Sequence, residues 1–217
     1  MARIGVQHPH DSEDNSTSEV FQGLIRYERQ VPIRQLSFYL CGEIQAAQYY
    51  TDLFYTLHTA LETDIIYLHL NTQGGDFDTG LQIINNMLAS SAHVVTVLEA
   101  RAYSMGALIF LAGDELVVHD NCQLMFHIYS GSFAGRGTEQ QAQVAALSSW
   151  FKKVTNRICR NFLSPAEIGK VLEGVDLWMD SDEISKRLNR ASRAEDRQKL
   201  PRKAQAGSDT GSGQARQ

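Results

Sequence analysis

His93-Val94-Val95-Thr96-Val97-Leu98-Glu99-Ala100-Arg101-Ala102-Tyr103-Ser104-Met105-Gly106-Ala107 is the stretch that decides the fold. It passes from an apolar run through a serine into small residues that continue to Gly113, so a hydroxyl stands where a strand turns into a helix. A helix start offers unpaired backbone N–H groups and a positive dipole end, and both can hold the oxyanion formed when a serine attacks a carbonyl. The plain alternative is a serine that only caps the helix. Two flanking segments bear on the choice. Upstream, Asn71-Thr72-Gln73-Gly74-Gly75 follows another apolar run and is expected to be a loop of exposed backbone amides; downstream, Leu124-Met125-Phe126-His127 puts a histidine on a third apolar run. Taken singly, the glycine pair reads equally as a turn and the histidine as a satisfied core residue.

Around these segments the chain alternates. Strands are expected at residues 36–40, 65–70, 94–98, 116–118 and 124–129, and helices at 45–61, 79–88 and from 138 to about 161, followed by a helix through Ile184 and Leu188. Continuous apolar strands separated by helices predict an α/β fold with a largely parallel sheet covered on both faces. The helix from 138 has Thr138 and Gln141 in capping-box spacing, and Val144, Leu147, Phe151, Val154 and Ile158 recur along it at intervals of three and four. Such a narrow seam wants a partner helix or its own core.

The order of strand, Gly-Gly segment, helix, strand, Ser-Met-Gly-Ala helix, strand and Met-x-His resembles the Clp protease proteolytic subunit family, a serine peptidase family of the crotonase-like superfamily, from about Leu36 to Leu188. The resemblance implies a crotonase-like β-β-α superhelix with a protruding handle helix and flexible termini. It also implies a serine endopeptidase that hydrolyses peptide bonds through a Ser-His-Asp triad. Ser104 would be the nucleophile, His127 the base and Asp176, in Val175-Asp176-Leu177-Trp178, the acid; Asp180 and Asp182 are competitors whose plainer role is at the start of the next helix. By the same carry-over the backbone N–H groups of Gly74 and Met105 would form the oxyanion hole, and Gly75, Gly131, Ser132 and Phe133 would bind substrate. Where the family commonly has Ser-Pro before the glycines this chain has Thr72-Gln73, and loss of the proline removes a φ restraint.

The resemblance further implies a homo-oligomer of stacked heptameric rings, joined through the helix from 138 and fed with unfolded polypeptide by a separate AAA+ unfoldase, since no G-x-x-x-x-G-K-[ST] sequence is present here. The departures around the glycine pair and the termini are similar to those of divergent phage-encoded relatives, which suggests a particle-maturation protease as an alternative. A catalytically silent ring subunit and a crotonase-type acyl-CoA enzyme are the others.

Composition agrees. At 217 residues, with 43% hydrophobic and 21% charged, the chain suits one peptidase domain over residues 31–190, between a flexible segment at 1–30 and a disordered basic tail at 191–217. The formal charge of −5 hides an asymmetry, because residues 187–217 hold eight basic side chains against three acidic ones and the rest is acidic. No membrane span or leader is apparent, a cytoplasmic location is expected, and nucleic acid is not an expected partner. Cys41, Cys122 and Cys159 have no paired spacing, and the seven histidines no metal-ligand spacing, so neither a disulfide, a metal nor a cofactor is expected.

Overall fold

The computed structural model describes residues 33–199 and, before them, the strands Val20–Phe21 (β1) and Leu24–Ile25 (β2). The chain divides into two units, residues 1–33 and 34–217. In the first, β1 and β2 pair antiparallel, Val20 opposite Ile25 and Phe21 opposite Leu24, so the segment expected to be flexible contains a short hairpin. The expected flexibility of residues 1–19 and 200–217 lies outside the described residues.

The second unit runs β3 (Gln35–Ile44), a 3-10 turn (Ala47–Tyr50), α1 (Thr51–Thr59), β4 (Ile65–Gly75), α2 (Phe77–Ala89), β5 (His93–Tyr103), α3 (Met105–Phe110), β6 (Glu115–Val118), β7 (Gln123–Phe126), α4 (Gly137–Cys159), α5 (Pro165–Leu172), β8 (Leu177–Asp180) and α6 (Ser181–Lys199). Helix α6 continues through residues 191–199, which the sequence placed in a disordered tail. The sheet has the order β3-β4-β5-β7-β8. All pairs are parallel except β7–β8. Strand β5 is shared: Val95 to Leu98 pair with β6, and Arg101 to Tyr103 pair with β7. The register along β5 therefore hands the sheet from one strand to the next just before Ser104.

Only one face of β3 and β4 is covered, which corrects the expectation of a sheet buried on both sides. Along β4 the residues Ile66, Leu68, Leu70 and Thr72 are buried and their alternates are not, while Tyr39 on β3 is 69% exposed. The apolar look of these strands comes from tyrosines and a histidine on the outer face: Tyr39 stacks on His69 with ring centroids 4.4 Å apart. The inner face meets α1, α2 and α3 in one core built on Leu57, Ile66, Leu70, Ile83, Ile84, Leu98, Ile109 and Phe110.

Local chemistry sets the helix starts. Asp76 caps α2, its Oδ1 accepting from Thr79 N–H at 2.8 Å. Ser164, Pro165 and Glu167 form a capping box with proline at the first helical position of α5. Helix α4 starts at Gly137, not at the Thr138–Gln141 box: Glu139 reaches back to Arg136 N–H at 3.0 Å, because the turn at Gly135 (φ 134°) brings the chain into the helix one step earlier. The strand expected to reach residue 129 stops at Phe126, and residues 127–136 have no strand partner.

Candidate active site

Ser104 has φ 55° and ψ −121°, the only positive φ outside glycine among the described residues. A side-chain-bearing residue in such a region costs on the order of 1–3 kcal/mol and persists only where its surroundings over-determine it. Two contacts do so here. The Ser104 N–H donates to Met125 O at 2.8 Å, tying the elbow to β7, and its carbonyl accepts from Ala107 N–H at 3.0 Å inside α3. The hydroxyl makes no capping hydrogen bond, so the plain N-cap reading does not describe this serine.

The Gly-Gly segment is not a loop. Gly74 and Gly75 end β4 and pair with Glu43 and Ile44 of β3 across a register slip at Gly42/Glu43. Gly74 lies against the elbow: a Cβ placed on it would sit 2.7 Å from Tyr103 O, 2.8 Å from Ser104 Cβ and 3.3 Å from Met105 N, and its φ is 92°. Only glycine fits. Its N–H, the expected oxyanion donor, donates to the buried Thr72 hydroxyl at 3.0 Å and is therefore committed in this conformation. Met105 N–H, at the first helical position of α3, has no intrahelical acceptor. The Thr72 methyl in turn packs on α3, where a Cβ at Gly106 would lie 2.5 Å from Thr72 Cγ2.

His127 follows β7 directly, is half-buried, and shares with Ser104 one cavity of about 80 Å³. Gly75 and Met105 also line it. Gly131, Ser132 and Phe133 do not; Tyr129 and Ser130 come to the cavity in their place. The rest of the wall was not anticipated from the sequence as site residues: Phe77 from α2, Leu108 from α3, Phe151 and Thr155 from α4, and Val171 from α5. Phe151 is 5% exposed and Val154 and Ile158 pack on the core, so the second half of the α4 stripe belongs to this subunit. Val144 is 41% exposed, and Trp150, 45% exposed, sets its ring edge-on against Phe77 of α2 with centroids 5.4 Å apart.

The acid candidates separate by register. In the antiparallel β7–β8 pair, Gln123 faces Asp180, Leu124 faces Met179, Met125 faces Trp178 and Phe126 faces Leu177; the pairing ends there, with His127 the next residue after Phe126 and Asp176 the one before Leu177. Asp180 is occupied elsewhere, its Oδ1 accepting from Glu183 N–H at 3.0 Å as the cap of α6, and Asp182 lies exposed in the first turn of that helix. Among the described residues no hydrogen bond joins Ser104, His127 and Asp176. The segment that carries Asp176 is braced from both sides: Arg187 of α6 donates to Glu167 of α5 at 2.7 and 3.0 Å and to Glu183 at 2.7 Å. The hydrogen bonds from Arg187 hold the Glu167 carboxyl down at about 2 despite partial burial.

Cys41, Cys122 and Cys159 are free thiols, and burial pushes Cys159 up to about 12. Among the described residues no three His, Cys, Asp or Glu side chains converge as a metal site, and no helix is long and apolar enough to cross a membrane.

The chain is similar to ATP-dependent Clp protease proteolytic subunits of Streptococcus pyogenes serotype M5 (strain Manfredo), Streptococcus pyogenes serotype M49 (strain NZ131) and Streptococcus equi subsp. equi (strain 4047). Each is 31% identical over 129 residues, covering 56% of this chain and 64% of the relative. The match thus spans a little under two thirds of those relatives' length. The family model for Clp protease covers residues 19–186, from the short hairpin through the serine elbow, the histidine and the braced acidic segment, and the chain belongs to the Clp protease family.

Proposed function

We propose that this chain is a serine endopeptidase, with Ser104 as nucleophile, His127 as general base and Asp176 as the acid that fixes the imidazole. The observation that carries this is Ser104 itself: a strained residue at a strand-to-helix elbow whose hydroxyl caps nothing and which shares a cavity with a histidine. His127 takes the proton of Ser104 as its oxygen adds to the peptide carbonyl, then gives it to the departing amine; water repeats the sequence on the serine ester and frees the acid. Asp176, one register step beyond Phe126–Leu177, supports the imidazolium. The oxyanion is held by Met105 N–H and by Gly74 N–H, the latter once Thr72 releases it. Substrate closes the hydrogen bonds of the triad, as catalytic contacts commonly tighten only in the complex.

The unpacked first half of α4 supports a handle that joins rings of this chain, with the β-β-α superhelix as the body and the peptidase sites inside a cytoplasmic assembly. Unfolded polypeptide is the substrate, delivered by a separate ATP-driven unfoldase. A fluorophosphonate probe with peptide mass spectrometry tests the chemistry. Ser104 should be the labelled residue, and Ser104→Ala should fold and assemble while losing both label and peptide hydrolysis by several powers of ten. Hydrolysis by Ser104→Ala at the wild-type rate would overturn the mechanism.

A further inference from the structure

The cavity beside Ser104 contains a polar atom that nothing in the mechanism uses. Thr155 lines it from α4, is 2% exposed, and its Oγ1 is the one buried side-chain nitrogen or oxygen among the described residues without a hydrogen-bond partner. A helical threonine ordinarily donates to a carbonyl one turn back. Here it does not, and the hydroxyl remains an unmet demand in a wall shared with the apolar Phe77, Met105, Leu108, Phe151 and Val171.

From this we infer that Thr155 determines which residue is cut: the side chain preceding the scissile bond is a small, neutral, hydroxyl-bearing one, threonine or serine, favoured over an aliphatic side chain of the same shape. The inference rests on the peptidase reading and names the substrate class of that site. Three features converge on it. The cavity adjoins the nucleophile and the base, so it receives the side chain of the residue whose carbonyl is attacked. Its volume of about 80 Å³ matches roughly two to three waters, which suits a short side chain. No Asp, Glu, Lys or Arg lines it, so a charged occupant would be buried unpaired. Rotation about χ1 interchanges the Thr155 hydroxyl and methyl within one volume, and this lets the sealed Oγ1 turn to an occupant that carries its own donor and acceptor.

The test uses two fluorogenic peptides that differ only before the scissile bond, threonine in one and isosteric valine in the other, on the wild-type protein, Thr155→Val and Thr155→Ser. Wild type should cleave the threonyl peptide with kcat/KM about tenfold higher, as one net hydrogen bond provides. Thr155→Val should erase the preference by losing rate on the threonyl peptide alone, and Thr155→Ser should keep it. Without substrate, Thr155→Val should melt no lower than wild type, since it removes an unpartnered hydroxyl and keeps the shape. A clear drop in that melting temperature would show that Oγ1 has a partner and would overturn the inference. Labelling of Ser104 together with equal cleavage of the two peptides, preference for the valyl peptide, or cleavage of neither overturns the inference alone. A protein that takes no fluorophosphonate and cleaves nothing overturns the peptidase reading and the inference with it.

Discussion

Replacing Ser104 with glycine should make this protein more stable while destroying its chemistry. The serine holds φ 55° and ψ −121°, where a Cβ costs about 1–3 kcal/mol. Glycine adopts these angles freely, but it gains conformational entropy in the unfolded chain that offsets about 0.4–1 kcal/mol of the relief. The net expectation is a stabilisation of roughly 1 kcal/mol, which for a chain of 217 residues raises the melting temperature by about 2–4 °C. The control is Ser104→Ala, which loses the hydroxyl but keeps the Cβ and its strain. Both variants should be inactive, and they should differ in stability.

Differential scanning calorimetry of wild type, Ser104→Ala and Ser104→Gly, at one protein concentration and scan rate so that assembly contributes equally, measures the difference. The Ser104 N–H bond to Met125 O and the α3 bonds to its carbonyl are backbone contacts that both variants retain. Subtracting alanine from glycine therefore isolates the Cβ. If Ser104→Gly melts at or below Ser104→Ala, the elbow is not strained and the argument from its dihedral angles fails.

Three further outcomes are expected. Asp176→Asn should lower kcat by about 10⁴-fold, as loss of the acid does in a triad, whereas Asp182→Asn should retain most activity; reversed ranks in a peptide assay would refute the register argument. Val144→Glu should leave far-UV circular dichroism unchanged and lower the sedimentation coefficient, since this side chain is one that its own subunit leaves exposed; an unchanged coefficient would refute the handle. Glu167, held at about 2 against an ordinary 4.5, contributes stability that is present above pH 4.5 and lost as pH falls toward 2, so Arg187→Gln should move the acid-unfolding midpoint upward, and an unmoved midpoint would show that the α5–α6 brace does not matter.

The elbow was legible because its signal is local: an apolar run, a serine, then small residues. Its strain was not. The unusual φ of Ser104 depends on Met125, a residue from another strand, accepting its N–H, and on Gly74 leaving room, and both are contacts between segments far apart in the sequence. For the same reason Gly74-Gly75 read as a loop: nothing in five residues reveals that β3 runs beside them and extends the strand through both glycines. The apolar stripe of α4 was visible, but periodicity marks a face without saying what the face meets. Phe151 and Thr155 turned out to be cavity wall, Trp150 packs on Phe77, Leu147 is half-buried, and Val144 remains exposed.

Asp176 shows how the two kinds of information combine. Three aspartates fall within seven residues, and residue type cannot rank them. The β7–β8 register narrows the choice, because each step along one strand is matched by a step back along the other: Asp180 falls opposite Gln123, at the far end of β7 from the histidine, whereas Asp176 precedes Leu177, the partner of Phe126, at the end where His127 follows. Asp180 is set apart further by its own bond, its Oδ1 accepting from Glu183 N–H as the cap of α6.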